Sequence, residues 1–160
     1  MKRYTMFVGI TLAVGLLFSE TLFTQAQESL YGMWKVNIAK SKYSPGPAPK
    51  SSTAKWEPSG GGVKLTVDTV PATGEVQHWE VTGKFDGKDN PIVGNNPDAD
   101  TAAFSKIDDH TYRTLNKKGG KPTLDSRIVV AKDGKTRVTT QTGTNGKGEA
   151  AAITMFYEKQ

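Results

Sequence analysis

The sequence is poor in the residues that small proteins use for cross-links and for most reaction chemistry. Its 160 residues include no cysteine and only two histidines. Disulfide frameworks, thiolate metal sites and cysteine nucleophiles are therefore excluded. A small domain without disulfides has to be stabilised by packing and backbone pairing alone, which favours a regular, well-paired β structure.

Long apolar segments are also scarce, and the one that exists lies near the N-terminus. Its uninterrupted apolar run of about 13 residues is shorter than the roughly 20 needed to span a bilayer. Two basic residues precede the run, and Thr24-Gln25-Ala26 supplies small residues at a cleavage point. This pattern predicts a signal peptide over residues 1–26. Residues 27–160 are then expected to form one exported domain, periplasmic or secreted, with no membrane span.

The net charge is positive but is not concentrated on any segment. The formal charge is +5 at pH 7, and the lysines and arginines are scattered, many of them beside glycine or aspartate. Nucleic-acid binders gather basic residues on one face together with aromatic residues. Because the chain has no such cluster, we predict no nucleic-acid partner.

No stretch after residue 26 has the 3.6-residue periodicity of an amphipathic helix. Apolar residues alternate with polar ones instead, as in VKLTVDTV, where Val63, Leu65 and Val67 share one face. Turn sequences separate these runs, among them SGGG, PATG, DGKD, KKGGK, KDGK and NGKG. We count about ten strands, of which SSTAKWEP and NPIVG are the least regular.

This order predicts an all-β fold, an antiparallel up-and-down meander in which each strand pairs with the next. A long meander twists and exposes its edges, so we expect it to close into a barrel of about 8–10 strands or to fold into a sandwich. Strands with one apolar face favour the barrel. The proline-rich loop over residues 41–50 is expected either to cap one end of the barrel or to be an ordinary connector.

Two short motifs resemble known barrel families. Gly32-Met33-Trp34 opens the first strand and resembles the Gly-x-Trp motif of the lipocalins, in which the Trp plugs one end of the barrel. The final MFYEKQ resembles the last strand of the ten-stranded fatty-acid-binding proteins. GMWKVNIAKSKYSPGPAPKS, DGKD, KKGGK and KDGKT together are similar to a group of small exported bacterial proteins described as lipocalin-like.

The resemblance has limits that affect the candidate site. Fatty-acid-binding proteins place an arginine two residues before the terminal tyrosine, whereas this chain has Met155 at that distance from Tyr157. Their helix pair is also missing, so their mode of carboxylate capture is not carried over. The lipocalin resemblance implies that an arginine of a late strand packs across Trp34, and Arg127 and Arg137 are the two candidates.

Aromatic and arginine side chains are the remaining candidates for a site. In a closed barrel some of the aromatic residues would converge, either as plain core or as the lining of a ligand cavity. An inward arginine would anchor an acidic group, because a buried charge is rarely tolerated unpaired. The candidate cavity residues are Trp34, Trp79, Phe104, Tyr112 and Tyr157, and the candidate anchors are Arg113, Arg127 and Arg137.

No catalytic set, metal site or cofactor site is predicted. His78 and His110 are too few for most histidine-based metal sites, and the oxygens of NNPDADT match no defined calcium loop. No Ser/His/Asp arrangement can be placed. We therefore predict an exported lipocalin-like protein that binds a small apolar or amphipathic molecule without catalysis. The alternative is an envelope interaction protein that contacts a protein or a glycan through its outer surface or the 41–50 loop.

Overall fold

The computed structural model describes residues 28–160, so the predicted signal peptide lies outside the described residues. The described chain forms ten antiparallel strands. They are β1 (Gly32–Ser44), β2 (Ser51–Ser59), β3 (Gly62–Val70), β4 (Gln77–Gly83), β5 (Asp86–Gly94), β6 (Thr101–Lys106), β7 (Thr111–Lys118), β8 (Lys121–Val130), β9 (Thr136–Thr144) and β10 (Ala150–Lys159).

Each strand pairs with the next along the chain, and β1 pairs with β10 to close a barrel. The predicted all-β meander and its closure are therefore confirmed, with ten strands in the described part. Trp34 lies opposite Lys159 in the closing pair, and Val36 lies opposite Tyr157. No helix among residues 28–160 is long and apolar enough to cross a membrane.

Two tight hairpins depend on glycine pairs. Gly60 and Gly61 have φ angles of 54° and 75°, and Gly119 and Gly120 have φ angles of 56° and 75°. Two consecutive positive φ angles are typical of a type I′ turn, whose twist matches that of paired strands. The sequences SGGG and KKGGK thus connect β2 to β3 and β7 to β8 as predicted.

The predicted position of one turn requires correction. The tetrapeptide DGKD, predicted as a turn, lies at the start of β5, and Lys84-Phe85 turns the chain instead. Gly87 has a φ of 74°, and the β5–β6 register shifts between Asp86 and Asp89. The glycine conformation therefore produces a bulge inside a strand rather than a hairpin turn.

The proline-rich segment is shorter than expected, because β1 continues to Ser44. The register between β1 and β10 shifts between Asn37 and Lys42. Ser41 compensates for the interrupted ladder, since its Oγ donates to the Asn37 carbonyl at 2.7 Å and accepts from Phe156 N at 3.0 Å. Only residues 45–50 are left as a connector.

The apolar core fills one end of the barrel, here called the closed end. Trp34 and Phe104 are fully buried there, and Trp56 meets Phe104 edge-on with ring centroids 5.3 Å apart. Trp34 Nε1 donates to the Leu30 carbonyl at 2.8 Å, which fixes the segment before β1 against the core. Tyr112 Oη donates to Glu28 at 2.8 Å and holds the same segment at its other end.

Candidate functional site

An interior cavity of about 170 Å³ lies between the apolar core and the opposite end of the barrel, here called the mouth. Successive side chains of a strand point to opposite faces, so every second residue faces the interior. About half of the residues around the cavity are polar. The polar wall includes Thr114, Asn116, Ser126, Thr139 and Gln141.

The cavity limits the size of what it can hold. A cavity of about 150 Å³ accepts benzene, and pockets for drug-sized ligands measure roughly 300–1,000 Å³. At about 170 Å³ the space fits a compact molecule rather than a long acyl chain. Trp56, Trp79 and Tyr157 supply apolar faces around it.

Arg137 is the charged residue deep in this cavity. The side chain is only 3 % exposed, and it makes no ion pair with any carboxylate among residues 28–160. Its Nη1 donates to Thr139 Oγ1 at 3.3 Å, whereas its Nε has no hydrogen-bond partner in the described part of the chain. Burial lowers the pKa of the guanidinium to about 10.

Two aromatic rings hold the Arg137 guanidinium in place. Its Cζ lies 3.9 Å from the ring centroid of Tyr157 and 5.2 Å from that of Trp34. Arg137 pairs with Tyr157 across β9 and β10, so the backbone register sets this stack. Cation–π contacts offset part of the cost of burying the charge. Of the two arginines that the lipocalin resemblance suggested, Arg137 packs across Trp34.

The structure separates the predicted aromatic residues into two groups. Trp79 and Tyr157 line the cavity. Trp34, Phe104 and Tyr112 belong to the packed core of the closed end and do not line the cavity.

The other two candidate anchors lie on the outer face of the barrel. Tyr112 faces inward, so its neighbour Arg113 faces solvent, where its Nη2 lies 2.7 Å from Asp125 Oδ2. Arg127 is exposed, whereas Ser126 and Ile128 beside it are buried. Strand alternation therefore removes both arginines from the interior.

Sequence reasoning missed the polar wall and Trp56. Asn116 lies two and four residues from Thr114 and Tyr112, so extending the alternation of β7 beyond its apolar part would have placed it inside. Hydrophobic periodicity does not detect such positions, because a polar residue that faces a cavity looks like one that faces solvent. Trp56 lies in SSTAKWEP, whose pattern was the least regular.

The mouth is crossed by the β5–β6 connection, residues 95–100, here called the mouth loop. Asp98 Oδ1 accepts from Gly146 N at 2.7 Å, and Lys118 Nζ donates to the Pro97 carbonyl at 2.5 Å. Gly146 connects β9 and β10, which lie on the far side of the barrel from β5 in the strand order. Asn96, Pro97 and Asp98 border both the cavity and a larger vestibule outside it.

His78 and the NNPDADT segment, which were considered as sources of metal ligands, have other contacts. His78 Nδ1 lies 2.6 Å from Asp68 Oδ1 on the exposed face. In the NNPDADT segment, Asn95 Oδ1 accepts from His78 N and Asp100 Oδ2 accepts from Gly119 N. Within residues 28–160, no three His, Asp or Glu side chains are grouped so as to hold a metal ion.

The fold and the cavity define a closed, ten-stranded antiparallel β-barrel with a small interior site, an architecture consistent with a lipocalin-like barrel. No family model matches the chain, and searches of curated proteins and of solved structures show no significant match.

Proposed function

We propose that this chain is an exported, lipocalin-like bacterial protein that binds a small amphipathic molecule with an acidic group inside its barrel, without catalysis. The acidic group contacts Arg137, and the remainder of the molecule occupies the cavity between the polar wall and the rings of Trp56 and Trp79.

The observation that carries this proposal is the buried guanidinium of Arg137. Transferring a charged side chain from water to a buried site costs roughly several kcal/mol, unless a counter-charge or hydrogen bonds compensate for the lost hydration. Within residues 28–160, Arg137 has one long hydrogen bond and two aromatic faces but no carboxylate. A ligand carboxylate or similar anion would supply the missing partner in a charge-assisted contact.

Binding without reaction is supported by the groups around the cavity. Its described lining contains no histidine and a single carboxylate, that of Asp98, whose Oδ1 accepts from Gly146 N. The serine and threonine hydroxyls nearby have no adjacent base to activate them, as nucleophilic catalysis would require.

Native mass spectrometry of the mature protein, purified gently from its own envelope, tests the proposal. We expect an adduct that disappears on denaturation and has the mass of a small organic acid. Arg137→Met removes the anchoring charge and should abolish the adduct, while Arg127→Met removes an exposed charge and should retain it. An adduct of equal occupancy on folded Arg137→Met protein would contradict the anchoring role.

The alternative function uses the outside of the barrel. Pro45, Gly46 and Pro47 are exposed and border the vestibule together with the β3–β4 and β9–β10 connections. This exposure favours contact of the proline-rich loop with an envelope protein or a glycan. Replacing residues 45–49 by a glycine-serine linker and finding the same co-purifying partners would contradict that role.

A further inference from the structure

We infer that the ligand is a compact hydroxylated organic acid, which has at least one hydroxyl group besides its acidic group, and not a fatty acid. This inference rests on the proposed function, because it specifies the chemistry of the molecule in the same cavity. The inference depends on buried polar atoms that have no partner in the protein.

Among residues 28–160, six buried side-chain polar atoms lack a hydrogen-bond partner. Three of them belong to residues that line the cavity, namely Arg137 Nε, Trp56 Nε1 and Asn116 Oδ1. Buried polar groups are nearly always hydrogen-bonded, and each exception calls for a physical reason. These three exceptions belong to residues around one small cavity, and together with the polar side chains of its wall they point to a polar occupant.

The chemistry of these atoms specifies what that occupant must offer. Arg137 Nε and Trp56 Nε1 are donors, so they require acceptor atoms, which a carboxylate provides. Asn116 Oδ1 is an acceptor, so it requires a donor such as a hydroxyl group. A carboxylate alone leaves Asn116 without a partner, whereas a hydroxylated acid provides both kinds of group.

The rest of the wall favours the same class of molecule. Hydroxyl and amide groups of Thr114, Ser126, Thr139 and Gln141 surround the cavity. Gln141 donates to Ser126 and Arg137 donates to Thr139, but an alkyl chain would leave the remaining hydrogen-bonding capacity of these groups unused. The volume of about 170 Å³ accommodates one ring or a short branched chain. A single hydroxylated ring that has a carboxylate meets both conditions.

Titration calorimetry with four defined compounds tests this inference: benzoate, 4-hydroxybenzoate, octanoate and benzyl alcohol. We expect 4-hydroxybenzoate to bind wild-type protein roughly five- to tenfold more tightly than benzoate, which corresponds to one net hydrogen bond. We expect octanoate and benzyl alcohol to bind more weakly than 4-hydroxybenzoate, because the first lacks the hydroxyl group and the second lacks the charge.

Asn116→Leu tests the role of the acceptor. We expect the ratio of the affinities for 4-hydroxybenzoate and benzoate to fall to about one in this variant, because the acceptor for the hydroxyl group is removed. Thr123→Val is the matched control, because Thr123 Oγ1 is also buried without a partner but does not line the cavity. This control should keep the wild-type preference. Far-UV circular dichroism and urea unfolding show that each variant is folded.

The outcomes separate this inference from the proposed function. If benzoate or octanoate binds as tightly as 4-hydroxybenzoate, the hydroxylated class is wrong, whereas an anionic ligand at Arg137 is still supported. A preference that persists in Asn116→Leu also overturns the assignment. If none of the acids binds to the folded wild-type protein, both the inference and the proposed function are contradicted.

Discussion

At the scale of single residues, the least expected feature is a charged side chain that is almost fully buried without a counter-charge. Arg137 stacks between Tyr157 and Trp34 at the inner end of the cavity. An apolar residue of similar length would fill this position at a lower desolvation cost. A group that is retained despite such a cost is expected to serve binding rather than folding.

The first prediction concerns Arg137 and the stability of the ligand-free protein. Arg137→Met should leave the free energy of unfolding at pH 7 unchanged or raise it by about 1–2 kcal/mol, since an unpaired buried charge is removed while cation–π contacts are lost. Urea unfolding of wild-type and variant protein, both stripped of ligand, measures the difference. A loss of stability well above that range would assign a structural role to Arg137.

The difference in the free energy of unfolding between wild-type and Arg137→Met protein should also depend on pH. Burial lowers the pKa of folded Arg137 to about 10, below the ordinary value of a guanidinium in the unfolded chain. At pH values between the folded and the unfolded pKa, the unfolded chain binds more protons than the folded chain at this residue. The free energy of unfolding of wild-type protein should therefore rise relative to Arg137→Met as the pH increases above about 10. Urea unfolding of both proteins at pH 8 and pH 10.5 checks the sign, and a relative fall would contradict it.

The alternation within strands determines much of the candidate site, and it is partly readable in the sequence. It explains why Arg113 faces solvent once Tyr112 is placed inside, and why Asn116 faces the cavity. It does not explain why Arg137 is internal, because the residues around it in β9 are mostly threonine and do not form an apolar face.

At the scale of elements, two connections at the mouth contact each other beside the cavity. The mouth loop lies against Gly146, and a Cβ added at Gly146 would collide with the carbonyl oxygen of Pro97. The backbone φ of Gly146 is not in the left-handed region. Glycine is therefore required there by the close approach of two loops rather than by its own conformation.

The second prediction follows from this close approach. Gly146→Ala should displace the mouth loop and weaken the hydrogen bond from Gly146 N to Asp98. We expect faster amide hydrogen exchange in residues 95–100 and faster association and dissociation of 4-hydroxybenzoate. The barrel strands themselves should keep their wild-type protection, because they are paired independently of this loop.

Gly46→Ala is the control for this experiment. Gly46 lies in the β1–β2 connection, has no positive φ, and has open space where a Cβ would be added. The Gly46→Ala substitution should leave amide hydrogen exchange in residues 95–100 unchanged. Equal exchange in wild-type and Gly146→Ala protein would show that the mouth loop does not depend on this contact.

At the scale of the whole molecule, closure joins the first and last strands of the fold. Lys35 of β1 lies opposite Glu158 of β10, so the barrel is complete only when both ends of the described chain are paired. Six strands, β2, β3, β4, β7, β8 and β10, contribute residues both to the apolar core and to the wall of the cavity. Loss of one strand would expose two edges at once.

The third prediction is that this barrel unfolds as one unit and refolds slowly. Far-UV circular dichroism and tryptophan fluorescence should give coincident urea transitions, since Trp34 reports the closed end and both Trp56 and Trp79 report the cavity wall. Refolding should take milliseconds to seconds, because the closing pair is distant in sequence. Two separate transitions would mean that the region around the cavity unfolds independently of the closed end.

The sequence by itself determines the class of the fold. Alternation of apolar residues and glycine-rich turns are local properties, because they depend on the conformation of a few consecutive residues. They were sufficient to predict a closing antiparallel meander. These local properties misplaced the DGKD turn, because a glycine with positive φ is equally compatible with a bulge and with a hairpin turn.

Only the tertiary structure decides the cavity. Whether Tyr112 packs as core and Tyr157 lines a cavity depends on how far along the barrel axis each strand places its inward residues. Register, tilt and closure fix those heights, and they involve residues that are far apart in the chain. The same long-range geometry turns Arg137 toward Trp34 and brings the mouth loop to Gly146, so neither contact is visible in a local pattern.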